Sequence, residues 1–296
     1  MQAIYGIRMQ AIYGIRTWSH VGDNAILTGA VRNVKAAYPE LRLAVPDAFP
    51  ELWAGNPDVE GSAPTAFPER VRYGIGFEKR GEKGNMVEGM TSSLCDGLRL
   101  ERCRCVTRTP VLYLTDEEME RSGEWNGRWL LNANCQTTSR SKGYPYWQRV
   151  VDALGGLDIY QIGGNDGRDI SPDLRGVVDW RGRSGLRDLV VMAYGCEGII
   201  SPPSAITNIG AAFGKRQVVV NGSREPDVLT DYPNAVHVSR VFGPCGCGVG
   251  TGCMARGLCG SGGNDCRRPG RDGRWCQCME ELPFEEIVEA VRRLIQ

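Results

Sequence analysis

Near the start of the chain, apolar residues change from a continuous run to helical spacing. Residues 10–15 are apolar enough to form a buried strand. A helix is then predicted from apolar positions on one helical face, Ile26, Leu27, Ala30, Val31, Val34 and Ala37. Pro39 helps to end it, and residues 41–45 and 48–55 predict a short strand and a short helix. This order indicates a parallel sheet with right-handed crossovers.

The pattern is weaker between residues 60 and 126. Residues 60–85 are typical of loops, whereas residues 86–100 predict a helix. Thr115 is predicted to cap a further helix, because its hydroxyl can accept free backbone N–H groups and acidic residues follow it. The segment EWNGR, at 124–128, predicts a linker.

A second alternation of strands and helices follows this linker. Strands are predicted at residues 129–135, 157–164, 198–201 and 216–222. Helices are predicted between them, at residues 146–156, 185–196 and 205–215. The chain is therefore predicted to be an α/β protein with two halves, residues 1–126 and 127–282.

Residues 283–296 predict a terminal amphipathic helix. Its apolar face is formed by Phe284, Ile287, Val288, Val291, Leu294 and Ile295. Acidic residues occupy its first turn and arginines its last, which matches the helix dipole. We expect this face to pack on the body of the same chain.

Composition and charge exclude some classes of protein. The chain of 296 residues is 42% hydrophobic and 24% charged, which is typical of a folded globular protein. Its 35 basic and 35 acidic residues argue against a surface uniformly positive for nucleic acid. No apolar run is long enough for a membrane span, and no secretory signal is visible. We expect a cytoplasmic protein, with peripheral membrane contact left open.

The segment MQAIYGIR occurs twice in succession, at residues 1–8 and 9–16. A single repeat of this length is too short for a solenoid, whose periods are about 20 residues or more. The second copy leads directly into the predicted helix, so it is expected to be the core strand. The first copy is expected to be a peripheral duplicate.

Cysteines are concentrated in a glycine-rich segment at 245–278. This segment holds Cys245, Cys247, Cys253, Cys259, Cys266, Cys276 and Cys278, seven of the twelve cysteines of the chain. It has too few apolar residues for a core of its own, so a structural zinc ion held by thiolates is one interpretation. The spacing matches no standard zinc pattern, and free thiols or disulfides are the alternatives.

A glycine and a carboxylate, Gly22 and Asp23, lie where the first strand turns into the first helix. One interpretation is structural, because Asp at a helix start accepts hydrogen bonds from free backbone N–H groups. The other is functional, because open α/β sheets place their chemistry in the loops after strands.

Five segments, in order, resemble the glycosyltransferase family 9 enzymes, which include the ADP-heptose:lipopolysaccharide heptosyltransferases. The similar segments are YGIRTWSHVGDNAILTGAVRNVKAAYP, NPDVEG, NANCQTTSRSKGYPYWQRVVDAL, GRSGLRDLVVMAYGCEGIISPPSAITNIGAAFGKRQVVV and CMEELPFEEIVEAVRRL. The resemblance implies a GT-B fold, in which two Rossmann-like domains face each other across a cleft. It places the acceptor on the first domain and the nucleotide-sugar donor on the second, with the terminal helix crossing back to the first.

The resemblance also implies an inverting transfer that needs no bound metal, from an ADP-sugar to a surface glycan such as a lipopolysaccharide core. It makes Asp23 the general base. It makes Lys142 a contact of the donor diphosphate, for which a solvated loop lysine is the alternative. Further donor-side candidates are Thr138, Ser139, Ser204, Asn208 and Glu225, and acceptor-side candidates are His20 and Gly22.

The chain departs from the family pattern where the family often has Asp-Ser-Gly-x-x-His. Pro203 and Asn208 occupy the acidic and histidine positions, and only Ser204 is kept. Asn208 can donate a hydrogen bond but carries no charge. This departure puts the heptose in doubt more than the nucleotide diphosphate.

The sequence is also compatible with two alternative functions. In the first, the same fold glycosylates a hydroxymethylated pyrimidine in DNA, with arginine-bearing loops that meet phosphates. In the second, the chain is a catalytically inactive GT-B scaffold whose cysteine-rich loop binds zinc or a protein partner. Donor hydrolysis or transfer separates the scaffold from the enzymes.

Overall fold

The computed structural model describes eleven segments of the chain, which contain two parallel sheets and the helices around them. These segments are residues 12–16, 20–45, 49–60, 70–72, 84–101, 103–136, 142–164, 169–222, 225–240, 270–271 and 275–296. The duplicated residues 1–8 lie outside them. Within these segments, no helix is both long and apolar enough to cross a bilayer.

The first half contains a three-stranded sheet, here called the first sheet. Its elements in chain order are β1 (Ile12–Arg16), α1 (Val21–Ala37), β2 (Arg42–Ala44), α2 (Pro50–Trp53) and β3 (Arg70–Arg72). The strand order is β2-β1-β3, and both pairings are parallel, as predicted. Helices α3 (Met86–Gly97) and α4 (Asp116–Arg121) follow, and a 3-10 helix at Ser122–Trp125 ends this half. The Thr115 side chain accepts from the Glu118 N–H, which confirms the predicted cap.

The second half contains a six-stranded sheet, here called the second sheet. Its elements begin with β4 (Arg128–Leu131), β5 (Cys135–Gln136), α5 (Trp147–Ala153), β6 (Asp158–Gln161), β7 (Asp169–Ile170), β8 (Val178–Asp179) and α6 (Leu186–Gly195). They continue with β9 (Gly198–Ser201), α7 (Ala205–Ala212), β10 (Arg216–Asn221), a 3-10 helix at Asp227–Thr230, β11 (Ala235–Ser239), α8 (Gln277–Glu280) and α9 (Phe284–Ile295).

The strand order of the second sheet is β8-β6-β4-β9-β10-β11, and every pairing in it is parallel. Strands β4, β6 and β8 therefore extend the sheet toward one edge. The chain then returns to the centre, and β9, β10 and β11 extend the sheet toward the other edge. This is the order of a Rossmann sheet, and its topological switch point lies between β4 and β9. The short strands β5 and β7 form a separate antiparallel pair.

Alternating residues of the second sheet enter two different hydrophobic cores. Leu130 and Ile199 belong to the first core, which also contains the buried side chains of the first half. Trp129 and Ile200, their neighbours in sequence, belong to the second core on the opposite face of the sheet. This follows from the two-residue period of a strand. The first core therefore joins the first sheet, α1 and α3 to helices α6 and α7 of the second half.

The terminal helix α9 packs within the second half. Its buried residues Ile287, Val288 and Val291 belong to the second core, and it contacts α5, β10 and β11. Arg292 donates from Nη2 to the carbonyl oxygen of Ala153 at 3.0 Å. The helix and its apolar face are as predicted, but the expected return of this helix to the first half is not confirmed.

Arg187 of α6, in the second half, forms hydrogen bonds with two segments of the first half. The Arg187 guanidinium donates from Nε to Glu118 Oε1 at 2.7 Å and from Nη2 to Glu118 Oε2 at 2.5 Å. It also donates to the carbonyl oxygens of Glu51 and Tyr113, each at 2.8 Å. Both side chains of the pair are largely buried, with 20% and 19% of their surface exposed. The geometry is bidentate, which is the strong arrangement for such pairs.

We expect this ion pair to make the free energy of unfolding decrease as the pH becomes acidic. The hydrogen bonds from Arg187 lower the pKa of Glu118 from 4.5 to about 2. A carboxylate with a lowered pKa stabilises the folded state above its unfolded pKa, so its contribution is lost as the pH falls from 4.5 toward about 2. A Glu118→Gln variant should lose about 1.5–3 kcal/mol near neutral pH and show a shallower acid dependence, measured by denaturant unfolding across this range.

Glu60→Gln is the matched control, because Glu60 also forms a bidentate pair, with Arg42, but at an exposed position. Exposed pairs contribute little to stability. An equal loss of stability in both variants would show that Arg187 does not join the halves in the way described.

Candidate active site

The carboxyl ends of β4 and β9 carry polar side chains at the switch point of the second sheet. Asn132, which follows β4, donates from Nδ2 to Ser201 Oγ at 3.4 Å and to Ser204 Oγ at 3.1 Å. Ser204 immediately precedes α7, and its side chain makes no capping hydrogen bond to that helix. The N-terminus of α7 thus opens onto the crevice where parallel α/β sheets bind their ligands.

Lys142 lies over the same end of the sheet. Its ammonium donates to the carbonyl oxygen of Pro203 at 2.9 Å and pairs with Glu225 Oε1 at 2.6 Å. An ammonium group has three donors, and its contacts with the described residues use two of them, so the third can serve an anionic ligand. The half-buried position keeps this charge less screened than that of a surface lysine.

Glu225 is held in place by the end of strand β10. Asn221 donates from Nδ2 to the backbone carbonyl of Glu225 at 2.5 Å and to Asp227 Oδ1 at 3.1 Å. The Glu225 side chain is only 12% exposed. The sequence predicted Glu225 and Lys142 as separate donor-side residues, and the structure brings their side chains into direct contact.

Asp23 lies in the first turn of α1, and the interpretation of it as the helix cap is wrong. His20 is the residue before the helix, so Asp23 occupies the third helical position. Among the described residues, no hydrogen bond holds the Asp23 carboxylate. Burial raises the pKa of Asp23, the influence of nearby His20 and Lys142 lowers it in part, and the charge of Glu225 raises it further. Lys142 and Glu225 of the second half therefore lie near enough to Asp23 to act on its carboxylate electrostatically.

Asn208 joins the two halves at this point. It lies on α7 and donates from Nδ2 to the carbonyl oxygen of Gly22 at 3.3 Å. Its Oδ1 accepts from the hydroxyl of Tyr232 at 2.8 Å. Both polar atoms of the amide therefore have protein partners, and the second N–H of Nδ2 is the group that the predicted donor-binding role of Asn208 would use.

Several predicted residues lie outside the described part of the chain. They are Thr138, Ser139, Cys245, Cys247, Cys253, Cys259 and Cys266. Cys276 and Cys278 are described and lie buried in the second core. Within the described segments, no three metal-binding side chains are arranged to hold an ion. Cys95 and Cys103 of the first half are joined by a disulfide, a pairing that the sequence did not predict.

Comparison with known proteins rests on solved structures, because no family model and no curated protein matches the sequence. ADP-heptose lipopolysaccharide heptosyltransferase II from Escherichia coli gives a TM-score of 0.65 at 15% identity, over 97% of this chain and 98% of that chain. A family 9 glycosyl transferase from Veillonella parvula gives 0.58 at 12% identity, over 78% and 86% of the two chains. The heptosyltransferase WaaC of E. coli, solved with ADP-2-deoxy-2-fluoro heptose, gives 0.55 at 12% identity, over 84% and 98%.

This chain has the GT-B fold of these glycosyltransferases. The resemblance seen in the sequence is thus confirmed at the level of the fold. As in the GT-B fold, the switch point of the second sheet faces the N-terminus of α1. The hydrogen bond from Asn208 to the carbonyl oxygen of Gly22 connects them.

Sequence reasoning missed two of the residues that build this site. Asn132 lies in a segment that resembles family 9, and its position directly after an apolar strand is a signal from which it could have been predicted. Tyr232 follows the 3-10 helix Asp227–Thr230, which no periodic pattern predicted. Its contact with Asn208 joins residues that are 24 positions apart in the chain.

Proposed function

We propose that this chain is an inverting glycosyltransferase that moves a sugar from a nucleoside-diphosphate sugar to a hydroxyl acceptor. The observation that supports the proposal is that the start of α1, which carries Asp23, is bonded to α7 through Asn208, at the crevice where Lys142 and Glu225 pair. The Asp23 carboxylate has a raised pKa and no hydrogen bond among the described residues, and it is within electrostatic reach of the Lys142 ammonium, which has a donor left over from its described contacts. This pairing suits the removal of a proton next to a departing anion.

In the proposed reaction, the acceptor oxygen attacks the anomeric carbon as the bond from that carbon to the diphosphate oxygen breaks. The electron pair of the broken bond leaves with the nucleoside diphosphate. Asp23 takes the proton of the acceptor hydroxyl, which requires its carboxylate to lie within about 3 Å of that oxygen. A raised pKa makes this carboxylate a stronger base than an ordinary aspartate. The mechanism assigns no step to a metal ion.

The negative charge that develops on the diphosphate is stabilised by the second half. Lys142 supplies its remaining N–H donor, and the first turn of α7 supplies backbone N–H groups next to Ser204. A helix N-terminus favours an anion through both its free N–H groups and its dipole. Glu225 holds the ammonium in place and can accept from donor hydroxyl groups.

The substrates are assigned by class. An ADP-sugar is the first choice of donor, because the E. coli enzyme WaaC was solved with ADP and with an ADP-heptose analogue. We propose a surface glycan of the lipopolysaccharide type as the acceptor. On this proposal, residues 1–126 bind the acceptor in the cytoplasm, at times against a membrane, and residues 127–282 bind the donor.

The test is a titration of the wild type with ADP, UDP, GDP and CDP by isothermal calorimetry. We expect one of them to bind, and Lys142→Ala to weaken its affinity by about 10- to 100-fold, because hydrogen bonds to charged groups contribute about 1.5–3 kcal/mol. Transfer assays with the matching sugars then identify the donor.

Lys215→Ala is the control for this titration. Lys215 is also a half-buried lysine that donates to a carbonyl oxygen, that of Cys196 at 2.9 Å, but it contacts neither Pro203 nor Glu225. It should bind the nucleotide as the wild type does. If none of the four nucleotides binds the wild type, the glycosyltransferase proposal fails and the inactive scaffold is the better interpretation.

A further inference from the structure

A buried tyrosine completes the contact between the two halves beside Asp23. Tyr232 is 2% exposed and Asn208 is 6% exposed, so their hydrogen bond is shielded from water. Tyr232 donates to Asn208 Oδ1 at 2.8 Å, and Asn208 Nδ2 donates to the carbonyl oxygen of Gly22 at 3.3 Å. This chain of two hydrogen bonds runs from the second half to the residue that precedes Asp23.

The carbonyl oxygen of Gly22 fixes which way the Asn208 amide faces. A tyrosine hydroxyl can donate or accept, so Tyr232 suits either end of the amide, and here it donates to the oxygen that the Gly22 contact turns toward it. The NH₂ group must then face Gly22, whose carbonyl can only accept. The reverse orientation would place two oxygens against each other at Gly22, with a buried group left unsatisfied.

The start of α1 also lies close to α7 at residue 22. A Cβ atom on Gly22 would lie 3.2 Å from Asn208 Nδ2, so the Asn208 amide would have to move by a few tenths of an ångström, and 3.7 Å from the Cα atom of Ala205, an ordinary contact. The segment that carries Tyr232 is tied to the first half a second time. Asn85 donates from Nδ2 to the carbonyl oxygen of Asp231 at 3.2 Å.

We propose that Tyr232 and Asn208 are positioning residues that hold the first turn of α1 against α7 and thereby fix the position of the Asp23 carboxylate relative to Lys142 and Glu225. The inference rests on the proposed function for its catalytic consequence. Neither residue is assigned a contact with substrate. An amide and a phenol stay uncharged at neutral pH, so this positioning adds no charge next to the base.

The experiment compares Tyr232→Phe with Tyr144→Phe, which also deletes the hydroxyl of a buried tyrosine. Tyr144 donates to the carbonyl oxygen of Leu282, within the second core. The first readout needs no substrate. The Asp23 carboxyl is titrated in the ligand-free protein by ¹³C NMR with labelled aspartate, and its signal is assigned by its loss in Asp23→Asn. We expect Tyr232→Phe to lower the pKa of Asp23 toward its ordinary value, because a loosened α1 start admits water, and Tyr144→Phe to leave it unchanged.

The second readout is transfer with the donor identified by the nucleotide titration. Tyr232→Phe should lower kcat by about 10- to 100-fold and leave the donor KM close to that of the wild type, since a small displacement of a catalytic group has effects of this size. A lower kcat with an unchanged donor KM indicates a misplaced base rather than a damaged donor site.

Equal Asp23 pKa values and equal kcat values in Tyr232→Phe and the wild type would overturn the inference. If Tyr232→Phe does not fold, Asn208→Ala provides the same comparison. The failures of the two proposals are distinguishable. A wild type without transferase activity rejects the proposed function, whereas the Asp23 titration still reports whether the pair positions this carboxylate.

Discussion

An Asp23→Asn variant is expected to lose about 10²–10⁴-fold in kcat for sugar transfer, the usual contribution of a general base. Asparagine has the shape of aspartate but cannot take a proton from the acceptor hydroxyl. Donor affinity should be kept, because Lys142, Ser204 and the first turn of α7 are unchanged. Initial-rate kinetics and calorimetry with the donor nucleotide measure the two quantities separately.

The pH dependence of kcat gives a second check on Asp23. A general base works only when deprotonated, so the rate falls as the pH drops through the pKa of the base. Burial raises the pKa of Asp23. The acid limb of the profile should therefore lie above the pH range in which an ordinary aspartate titrates.

Asp188→Asn is the control for Asp23→Asn, because Asp188 is an exposed carboxylate that is paired with Arg121. Its kcat should equal that of the wild type. An Asp23→Asn enzyme with kcat within a few-fold of the wild type would reject Asp23 as the base. Among the described residues, Glu225 would then be the next carboxylate to test, because it pairs with Lys142.

Replacement of Trp129 by alanine is expected to destabilise the protein by about 3–5 kcal/mol, the usual cost of deleting a large buried aromatic ring. Trp129 is 1% exposed and lies on β4, in the centre of the second sheet. Its ring fills the space above Gly198, its partner on β9. Trp180→Ala is the control. Because Trp180 is only half-buried, its replacement should lower the free energy of unfolding by less. Denaturant unfolding measures both losses.

Gly198→Ala tests the same contact from the opposite side. A Cβ atom on Gly198 would lie 2.5 Å from two atoms of the Trp129 ring, so this variant should lose about 1–3 kcal/mol through overpacking. The smaller side chain of Trp129→Leu should relieve the clash. The double variant should then be more stable than the sum of the two single losses predicts. Additive losses would show that the ring and the glycine do not pack together.

Much of the fold could be predicted because the longer elements carry a clear period. The helical spacing of Ile26 to Ala37 and the dipole-matched charges of α9 predicted two helices correctly. The short strands were missed for the opposite reason. Strand β3 has three residues, and β7 and β8 have two each, too few to show any alternation.

At the candidate site, the sequence could predict single residues but not the contacts between them. Lys142 and Glu225 were predicted one by one, but nothing in the sequence shows that they pair, since the contact crosses 83 positions. Asn208 was predicted as a donor ligand, and nothing in the sequence shows that its amide also bonds to Gly22 and Tyr232. Such assignments depend on packing between distant segments, which periodicity and motif spacing do not record.

The first core draws its side chains from both halves, and this limits how the protein could be recombined. Ile15 and Met90 from the first half share that core with Met192 and Ile206 from the second. A chimaera that took its second half from another GT-B protein would have to match this shared surface as well as the Arg187 contacts. Under the proposed function, we therefore expect a change of donor to be reached more readily by substitutions within the second half than by exchange of that half.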